Sequence, residues 1–271
     1  MTTTADIRLI AVDMDGTLLE PSGAIPATLW PLLERLHARG IAFAPASGRQ
    51  LSTLQRMFSG VACELDYIAE NGAYVVRDGA EVSSDAMDPK DVASIITRVR
   101  ELVADGTLRA GVVLCGKRSA YIEGADPEFV AETEKYYAAL EAVEDLTAVD
   151  DQFLKIAIYD FDGGETHTAR HLADLRETFQ VVVSGQHWVD VMNQSVNKGV
   201  ALRRLQEAMG VTTAQTAAFG DYLNDLEMLQ AADWSYAMAD AHPDVAAVAR
   251  FRAPSNADQG VISTIESLLS A

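Results

Sequence analysis

Two acidic segments follow short apolar runs and carry the side chains best suited to chemistry. Asp13-Met14-Asp15-Gly16-Thr17 comes directly after the apolar run 9–12, and Gly220-Asp221-Tyr222-Leu223-Asn224-Asp225 follows the run 216–219. Each segment alone is also typical of a turn, because Asp, Asn and Gly favour turns. Carboxylates clustered at one rim repel each other unless a cation is present. Mg²⁺ takes oxygen ligands and typically uses one or two carboxylates together with substrate phosphate, so Asp13 and Asp221 predict a magnesium site.

Two further segments supply a hydroxyl group and positive charge. Ala46-Ser47-Gly48-Arg49 follows the predicted strand 41–44, and Asn197-Lys198-Gly199 stands at the start of a predicted helix. Ser-Gly is also typical of a loop, and Lys198 alone fits a solvated helix position. In open α/β sheets, however, ligands bind outside the carboxyl ends of the strands. We therefore expect the four segments to form one site.

The order of the predicted elements separates a core from an insert. At both ends of the chain, short apolar strands alternate with helices, which is typical of a parallel sheet covered by helices. The middle instead reads helix, strand, strand, helix, strand, helix, strand, strand. The sequence therefore predicts an α/β protein whose core is a doubly wound, Rossmann-like parallel sheet. We assign residues 1–82 and 188–271 to this core and residues 83–187 to an inserted α+β cap domain.

The composition limits the partners of the protein. A formal net charge of −19 over 271 residues repels nucleic acid and anionic lipid. No apolar run reaches the roughly 18–20 residues needed to span a bilayer. Cys63 and Cys115 are isolated in apolar surroundings, which indicates buried thiols in a reducing compartment. We therefore predict a cytoplasmic protein with no nucleic-acid or membrane partner, and we leave its oligomeric state open.

Taken together, the four segments resemble those of phosphatases in the haloacid dehalogenase superfamily, in both order and position. The insert between Ser47 and Lys198 resembles the C2B-type cap of the Cof-type group, and Glu70–Ala73 and the stretch 238–260 also match that group. The resemblance covers essentially the whole chain. It implies a magnesium-dependent phosphatase, a phosphoric monoester hydrolase, that acts through an aspartyl-phosphate intermediate. Its substrate would be a small phosphorylated metabolite, either a sugar phosphate or a cofactor-related phosphate.

The resemblance also implies a role for each segment. Asp13 would be the nucleophile and a magnesium ligand, and Asp221 would be a second ligand. Asp15 would be the general acid and then the general base, with its backbone carbonyl on the metal. Ser47 would bind a phosphoryl oxygen, and Lys198 would neutralise charge on the phosphoryl group during transfer. The residues implied to contact substrate are Gly16, Ser47, Gly48, Arg49, Asn71, Lys198 and Asn224.

Other interpretations of the same residues are considered beside this one. A phosphomutase would use the same aspartates, and a non-enzymatic phosphate-binding protein would keep the scaffold. A glycosyltransferase also carries an Asp-x-Asp motif, but that interpretation leaves Lys198 and the segment 220–225 unexplained. Asn224 and Asp225 would orient the metal shell or Lys198. The role of Asp240 is left open, because the group often has asparagine at this position.

Overall fold

The chain folds into two units. The computed structural model describes residues 6–124 and 126–270. The first unit combines the chain up to Ser84 with the chain from Asn197 onward, and the second unit is Asp85–Val196. Among the described residues, no helix is both long enough and apolar enough to cross a bilayer.

The first unit is built on an eight-stranded sheet. Its strands are β1 (Leu9–Asp13), β2 (Ala42–Ala46), β3 (Tyr67–Ala69), β4 (Tyr74–Arg77), β5 (Ala80–Ser84), β12 (Thr216–Gly220), β13 (Trp234–Met238) and β14 (Phe251–Ala253). They lie in the order β14-β13-β12-β1-β2-β3-β4-β5, in which the pairs β3–β4 and β4–β5 are antiparallel and the other neighbouring pairs are parallel. Numbered along the chain, the six parallel strands have the order 3-2-1-4-5-6 of doubly wound folds, which confirms the predicted core fold.

Helices cover both faces of this sheet, because its central strands are apolar on both faces. Alternate residues of a strand point to opposite faces. Ile10 and Val12 accordingly pack in one buried cluster, whereas Leu9 and Ala11 pack in another. The first cluster includes α1 (Leu29–Ala38), α2 (Leu51–Met57) and α9 (Gly260–Ser270), and the second includes α6 (Lys198–Met209), α7 (Leu226–Gln230) and α8 (Pro243–Val248). Packing from both sides therefore holds the ends of the parallel strands in place.

The second unit contains a six-stranded sheet. Its strands are β6 (Ala110–Gly116), β7 (Ala120–Glu123), β8 (Leu140–Val143), β9 (Phe153–Asp160), β10 (Phe179–Val183) and β11 (Trp188–Asn193). They lie in the order β10-β11-β9-β6-β7-β8 and are antiparallel except for the pair β7 and β8. The helices of this unit are α3 (Pro89–Ala104), α4 (Pro127–Tyr136) and α5 (Thr168–His171). The predicted α+β composition of the insert is confirmed.

The boundaries of the insert differ from the predicted range 83–187. The chain divides between Ser84 and Asp85 and again between Val196 and Asn197. The sequence analysis places the strand near Trp188 in the core, but β11 pairs with β9 and β10 in the second sheet. An apolar strand pattern does not identify the sheet that the strand joins, because both sheets bury apolar side chains.

A buried carboxylate makes the stability of the first unit depend on pH. Asp66 is 5% exposed and directly precedes β3, at the sheet edge away from Asp13. Burial raises the pKa of Asp66 to about 6, although the nearby Arg77 opposes the rise. Between about pH 4 and pH 6 the folded protein therefore keeps a proton that the unfolded chain releases. The free energy of unfolding should fall as the pH rises through this range.

Asp66→Asn should raise the melting temperature at neutral pH and change it little near pH 4. Removing the ionisable group should stabilise the fold by about 1–3 kcal/mol at neutral pH. Thermal unfolding of parent and variant at both pH values measures the difference. Glu64→Gln alters an exposed carboxylate two residues away and should change little at either pH. Equal destabilisation by Asp66→Asn at both pH values would contradict the prediction.

Candidate active site

The two acidic segments meet where the strand order of the first sheet reverses. β1 and β12 are neighbours there, and the sheet continues from β1 to β2 on one side and from β12 to β13 on the other. Asp13 is the last residue of β1, and Asp221 directly follows β12. Asp13 pairs with Ala46, the last residue of β2, so Ser47 follows at the same edge. Ligands of doubly wound folds bind at such a switch point.

Lys198 joins two of the carboxylates inside the protein. Its ammonium group donates hydrogen bonds to Asp13 and to Asp225, the latter at 2.7 Å. The side chains of Lys198 and Asp225 are 1% and 0% exposed. Asn197 places the lysine, because its side chain caps α6 by accepting from the Val200 amide at 2.8 Å. The fold thus brings Lys198 to an aspartate that lies 185 residues earlier in the chain.

Burial dominates the electrostatics of this group. It raises the pKa of Asp13 well above its ordinary value; the carboxylate of Asp225 adds to the rise, and Lys198 opposes it. Burial alone would lower the pKa of Lys198, but Asp13 and Asp225 outweigh burial, and the pKa is raised. Burial likewise raises the pKa of Asp221. One buried ammonium group thus faces three carboxylates, and this excess of negative charge favours a cation.

The donors at this point fit a hard divalent cation. Asp13, Asp221 and Asp225 each have a carboxylate oxygen within 4.8 Å of the others. Gly16 leaves room beside Asp221: its φ is +80°, and a Cβ atom there would lie 2.3 Å from Asp221 Oδ2. Thr17 donates to Asp221 Oδ1 at 2.9 Å and so orients the carboxylate. Carboxylate oxygens are ligands that Mg²⁺ prefers, and one or two of them are typical of a magnesium site.

Asp225 supports the other two carboxylates. Its Oδ1 accepts from Lys198, and its Oδ2 accepts from the backbone amides of Asp221 at 3.0 Å and Tyr222 at 3.3 Å. Both oxygens of Asp225 are therefore engaged within the protein. Asp13 and Asp221 are better placed to hold a metal ion, and Asp225 orients Lys198 and the turn that carries Asp221.

Asp15 lies outside the buried group and pairs with Arg49. The guanidinium group donates to both carboxylate oxygens: Nη2 lies 2.7 Å from Oδ1 and 3.0 Å from Oδ2, and Nε lies 3.2 Å from Oδ2. The side chain of Asp15 is 63% exposed, whereas that of Arg49 is 27% exposed. The sequence analysis did not predict this pair. The suggested binding of a metal by the Asp15 backbone carbonyl stays a prediction.

Ser47, Asn71 and Asn224 converge on the same rim. The Ser47 amide donates to the Ile68 carbonyl, and the Ser47 carbonyl accepts from the Asn71 amide, both at 2.9 Å. A Cβ atom at Gly48 would lie 3.0 Å from the Asn71 side chain, and Asn224 Nδ2 lies 3.4 Å from Asn71 Oδ1. Asn71 has a left-handed φ of 56°, which asparagine tolerates better than most residues. The structure therefore brings these predicted residues together, while their contacts with substrate stay predictions.

Three residues to which the sequence analysis gave no role complete the site. Thr17 orients Asp221, and Asn197 caps the helix that begins with Lys198. Gly72 packs closely against this cap, because a Cβ atom there would lie 2.5 Å from the Asn197 carbonyl oxygen. Two features of the sequence could have indicated these roles: the hydroxyl group of Thr17 at the end of the first acidic segment, and Asn197 directly before a predicted helix.

A second group of possible metal ligands, in the second unit, serves the fold. Asp160, Asp162 and His167 carry oxygen and nitrogen atoms within 4.8 Å of one another. The Asp160 carboxylate is fully buried, and it accepts from the Thr168 amide at 3.2 Å, the Thr168 hydroxyl at 2.8 Å and the Asp162 amide at 2.9 Å. These hydrogen bonds explain Asp160 as the residue that closes the turn leading into α5.

Comparisons with known proteins agree with this arrangement. The model of the haloacid dehalogenase-like hydrolase family matches residues 10–265. The chain is 33% identical over 267 residues to the 5-amino-6-(5-phospho-D-ribitylamino)uracil phosphatase YbjI of Escherichia coli (strain K12), covering 97% of this chain and 96% of that protein. It is 29% identical over 243 residues to the HMP-PP phosphatase of Cronobacter sakazakii, covering 89% of this chain and 87% of that protein. The crystal structure of SMU.1108c from Streptococcus mutans UA159 matches with a TM-score of 0.82 at 28% identity, covering 98% of this chain and 100% of that one.

The chain therefore belongs to the haloacid dehalogenase-like hydrolase family. The resemblance drawn from the four segments is confirmed, and so is the predicted enzyme class, a phosphatase acting on phosphoric monoesters. Membership in this family favours the phosphatase interpretation over the glycosyltransferase interpretation.

Proposed function

We propose that the protein is a magnesium-dependent phosphatase that hydrolyses a small phosphorylated metabolite through an aspartyl-phosphate on Asp13. The observation that carries this proposal is the buried Lys198 ammonium group between Asp13 and Asp225, beside Asp221. A nucleophile, a permanent cation and an oxygen-rich metal site are thereby combined at one sheet edge. This combination suits phosphoryl transfer, which depends on positioning and charge neutralisation more than on covalent chemistry.

In this proposal the reaction consists of two displacements at phosphorus. Asp13 attacks first, and the bond to the leaving oxygen breaks while Asp15 gives that oxygen a proton. Asp15 then takes a proton from water, whose oxygen attacks phosphorus, and the Asp13 carboxylate and inorganic phosphate are released. Lys198 stays charged throughout and neutralises the transferring group. A Mg²⁺ ion on Asp13 and Asp221 would supply Lewis-acid charge stabilisation when bound.

The proposed substrates are sugar phosphates and phosphorylated cofactor precursors. Two relatives support this range of substrates by their names. One is a phosphatase of a phosphoribitylamino-uracil, and the other is an HMP-PP phosphatase. The proposed contacts with substrate are made by Gly16, Ser47, Gly48, Arg49, Asn71, Lys198 and Asn224. The proposed location is the cytoplasm, where cysteines such as Cys63 and Cys115 stay reduced.

A panel of phosphorylated metabolites, assayed for phosphate release with Mg²⁺ and with EDTA, tests the proposed function. We expect magnesium-dependent release of inorganic phosphate from members of the two proposed classes. The same panel separates the phosphomutase alternative, which would move the phosphoryl group within a sugar and require a bisphosphate activator. Isomerisation without release of phosphate would therefore overturn the proposal.

Asp221→Ala should weaken magnesium binding and lower kcat about 100-fold at a fixed Mg²⁺ concentration. The substitution removes one carboxylate from a hard-cation site, so raising the Mg²⁺ concentration should restore part of the rate. Initial rates over a Mg²⁺ titration measure both effects. Asp244→Ala is the matched control, because this exposed carboxylate lies in the same unit but outside the group of three donors. If EDTA leaves the activity of the parent protein unchanged, the metal proposal is wrong.

We propose that the second unit is a cap that selects the substrate. Its two ends are tied together, because Asp85 accepts from Asn193 at 2.7 Å and from Ser195 at 2.5 Å. Replacing Asp85–Val196 by a glycine linker should leave a core that hydrolyses p-nitrophenyl phosphate but discriminates poorly among metabolites. The comparison is kcat/KM for the preferred metabolite and for p-nitrophenyl phosphate in both proteins. If a folded capless protein kept the same ratio of the two kcat/KM values as the parent, the second unit would not select the substrate.

A further inference from the structure

Asp15 differs in exposure from the other residues with a proposed role in the chemistry. Ser47 is buried, and the side chains of Asp13 and Lys198 are 9% and 1% exposed, whereas the Asp15 side chain is 63% exposed. An exposed aspartate moves among several rotamers unless a neighbour holds it. A group that transfers a proton must come within about 2.6–3.2 Å of the atom it serves. Asp15 therefore needs a partner that restrains its carboxylate.

The backbone of Arg49 is well anchored for this purpose. Its amide donates to Ser47 Oγ at 3.2 Å, and its carbonyl accepts from the Glu70 amide at 3.1 Å. α2 begins at Leu51, only two residues later. The guanidinium group thus extends from a segment held by the loop after β2 and by the turn after β3. Arg49 is the more restrained member of the pair and can orient Asp15.

The geometry of the pair allows orientation in both protonation states of Asp15. Nη2 of Arg49 is within hydrogen-bond distance of both carboxylate oxygens, at 2.7 and 3.0 Å. If one oxygen carries a proton, the other can still accept from the guanidinium group. An ion pair this exposed contributes little to folding stability. Its consequence is therefore expected in the chemistry, where the direction of a carboxylate matters.

We propose that Arg49 is a positioning residue that holds the Asp15 carboxylate in place for both proton transfers, an inference that rests on the proposed phosphatase mechanism. In the first step the electron pair of the broken phosphorus–oxygen bond goes to the leaving oxygen, which takes the proton of Asp15. In the second step Asp15 takes a proton from water as the water oxygen bonds to phosphorus and the bond to Asp13 breaks. Arg49 gains and loses no proton in either step.

The test compares substrates that need the proton of Asp15 to different extents. p-Nitrophenolate is a weakly basic leaving group and departs without a proton, whereas the phenolate of phenyl phosphate is more basic and benefits from one. In Arg49→Met, kcat/KM for phenyl phosphate should fall about 10–100-fold further than kcat/KM for p-nitrophenyl phosphate. A burst of nitrophenolate should also precede the steady state, because the second proton transfer slows as well. Arg49→Lys keeps the positive charge but loses the planar guanidinium group that contacts both oxygens of Asp15. Its kcat/KM values should therefore lie between those of the parent and those of Arg49→Met.

A matched control separates this effect from the loss of positive charge. Arg56→Met removes an exposed arginine from α2 and should leave both rates near those of the parent. An equal fall in kcat/KM for both substrates with a raised KM would mean that Arg49 acts only through its proposed contact with substrate, and it would overturn the positioning role. Unchanged kinetics in Arg49→Met would overturn it as well. The proposed function is judged separately by the parent protein, which should hydrolyse p-nitrophenyl phosphate only with Mg²⁺.

Discussion

Asp13→Asn should abolish turnover, with a loss in kcat of at least about 10⁴-fold, while the protein remains folded. An amide does not attack phosphorus as a carboxylate does, and the change is nearly isosteric. Lys198 keeps its hydrogen bond to Asp225 in this variant, so its charge stays compensated. Steady-state rates and thermal unfolding measure the two expectations. Asp244→Asn, at an exposed position of the same unit, is the matched control and should keep full activity.

The covalent intermediate offers a direct check on the same residue. Parent protein that is mixed with substrate and Mg²⁺ and then quenched in acid should carry one phosphoryl group on the peptide that contains Asp13. Asp13→Asn should carry none under the same conditions. Phosphorylation of another residue, or substantial activity of the variant after contamination is excluded, would refute the assignment of the nucleophile.

The position of the metal cluster could be predicted because it follows from simple geometry. Asp13 ends one strand that is buried on both faces, and Asp221 directly follows another. The two strands are parallel neighbours, as is typical of doubly wound folds. The side chains of Asp13 and Asp221 therefore lie at the same edge of the sheet. The approach of Lys198 could not be derived in this way, because 185 residues, including the whole insert, separate it from Asp13. Its place was implied only by the resemblance to a family.

Other features depend on contacts that local patterns do not encode. The third helix predicted in the insert is interrupted, because α5 ends at His171 and a 3₁₀ turn precedes the strand that begins at Phe179. Arg49 pairs with Asp15, which lies 34 residues earlier in the chain. This pairing depends on the rotamers of the long arginine side chain and of the exposed aspartate side chain. The spacing of residues along the chain predicts neither the interruption of the helix nor the pairing of Arg49 with Asp15. The sequence therefore predicted the types of residue at the site better than their partners.

Lys198→Met should lower kcat about 10³-fold and also destabilise the metal-free protein. The Lys198 ammonium group is the buried partner of both Asp13 and Asp225, whose side chains are 9% and 0% exposed. Removing one member of a buried ion pair typically costs about 3–5 kcal/mol, because the remaining charge is left without compensation. Urea unfolding in EDTA measures the change in the free energy of unfolding, and initial rates with Mg²⁺ measure the change in kcat.

The double variant Lys198→Met/Asp225→Asn separates the two effects of the lysine. Replacing Asp225 by its neutral analogue removes one of the uncompensated buried charges, so about 1–3 kcal/mol of the lost stability should return. Activity should not return, because no cation is left to neutralise the transferring phosphoryl group. If the double variant regained activity, Lys198 would act only on the fold. If Lys198→Met were as stable as the parent in EDTA, the buried carboxylates would not need its charge, and this account of the site's electrostatics would be wrong.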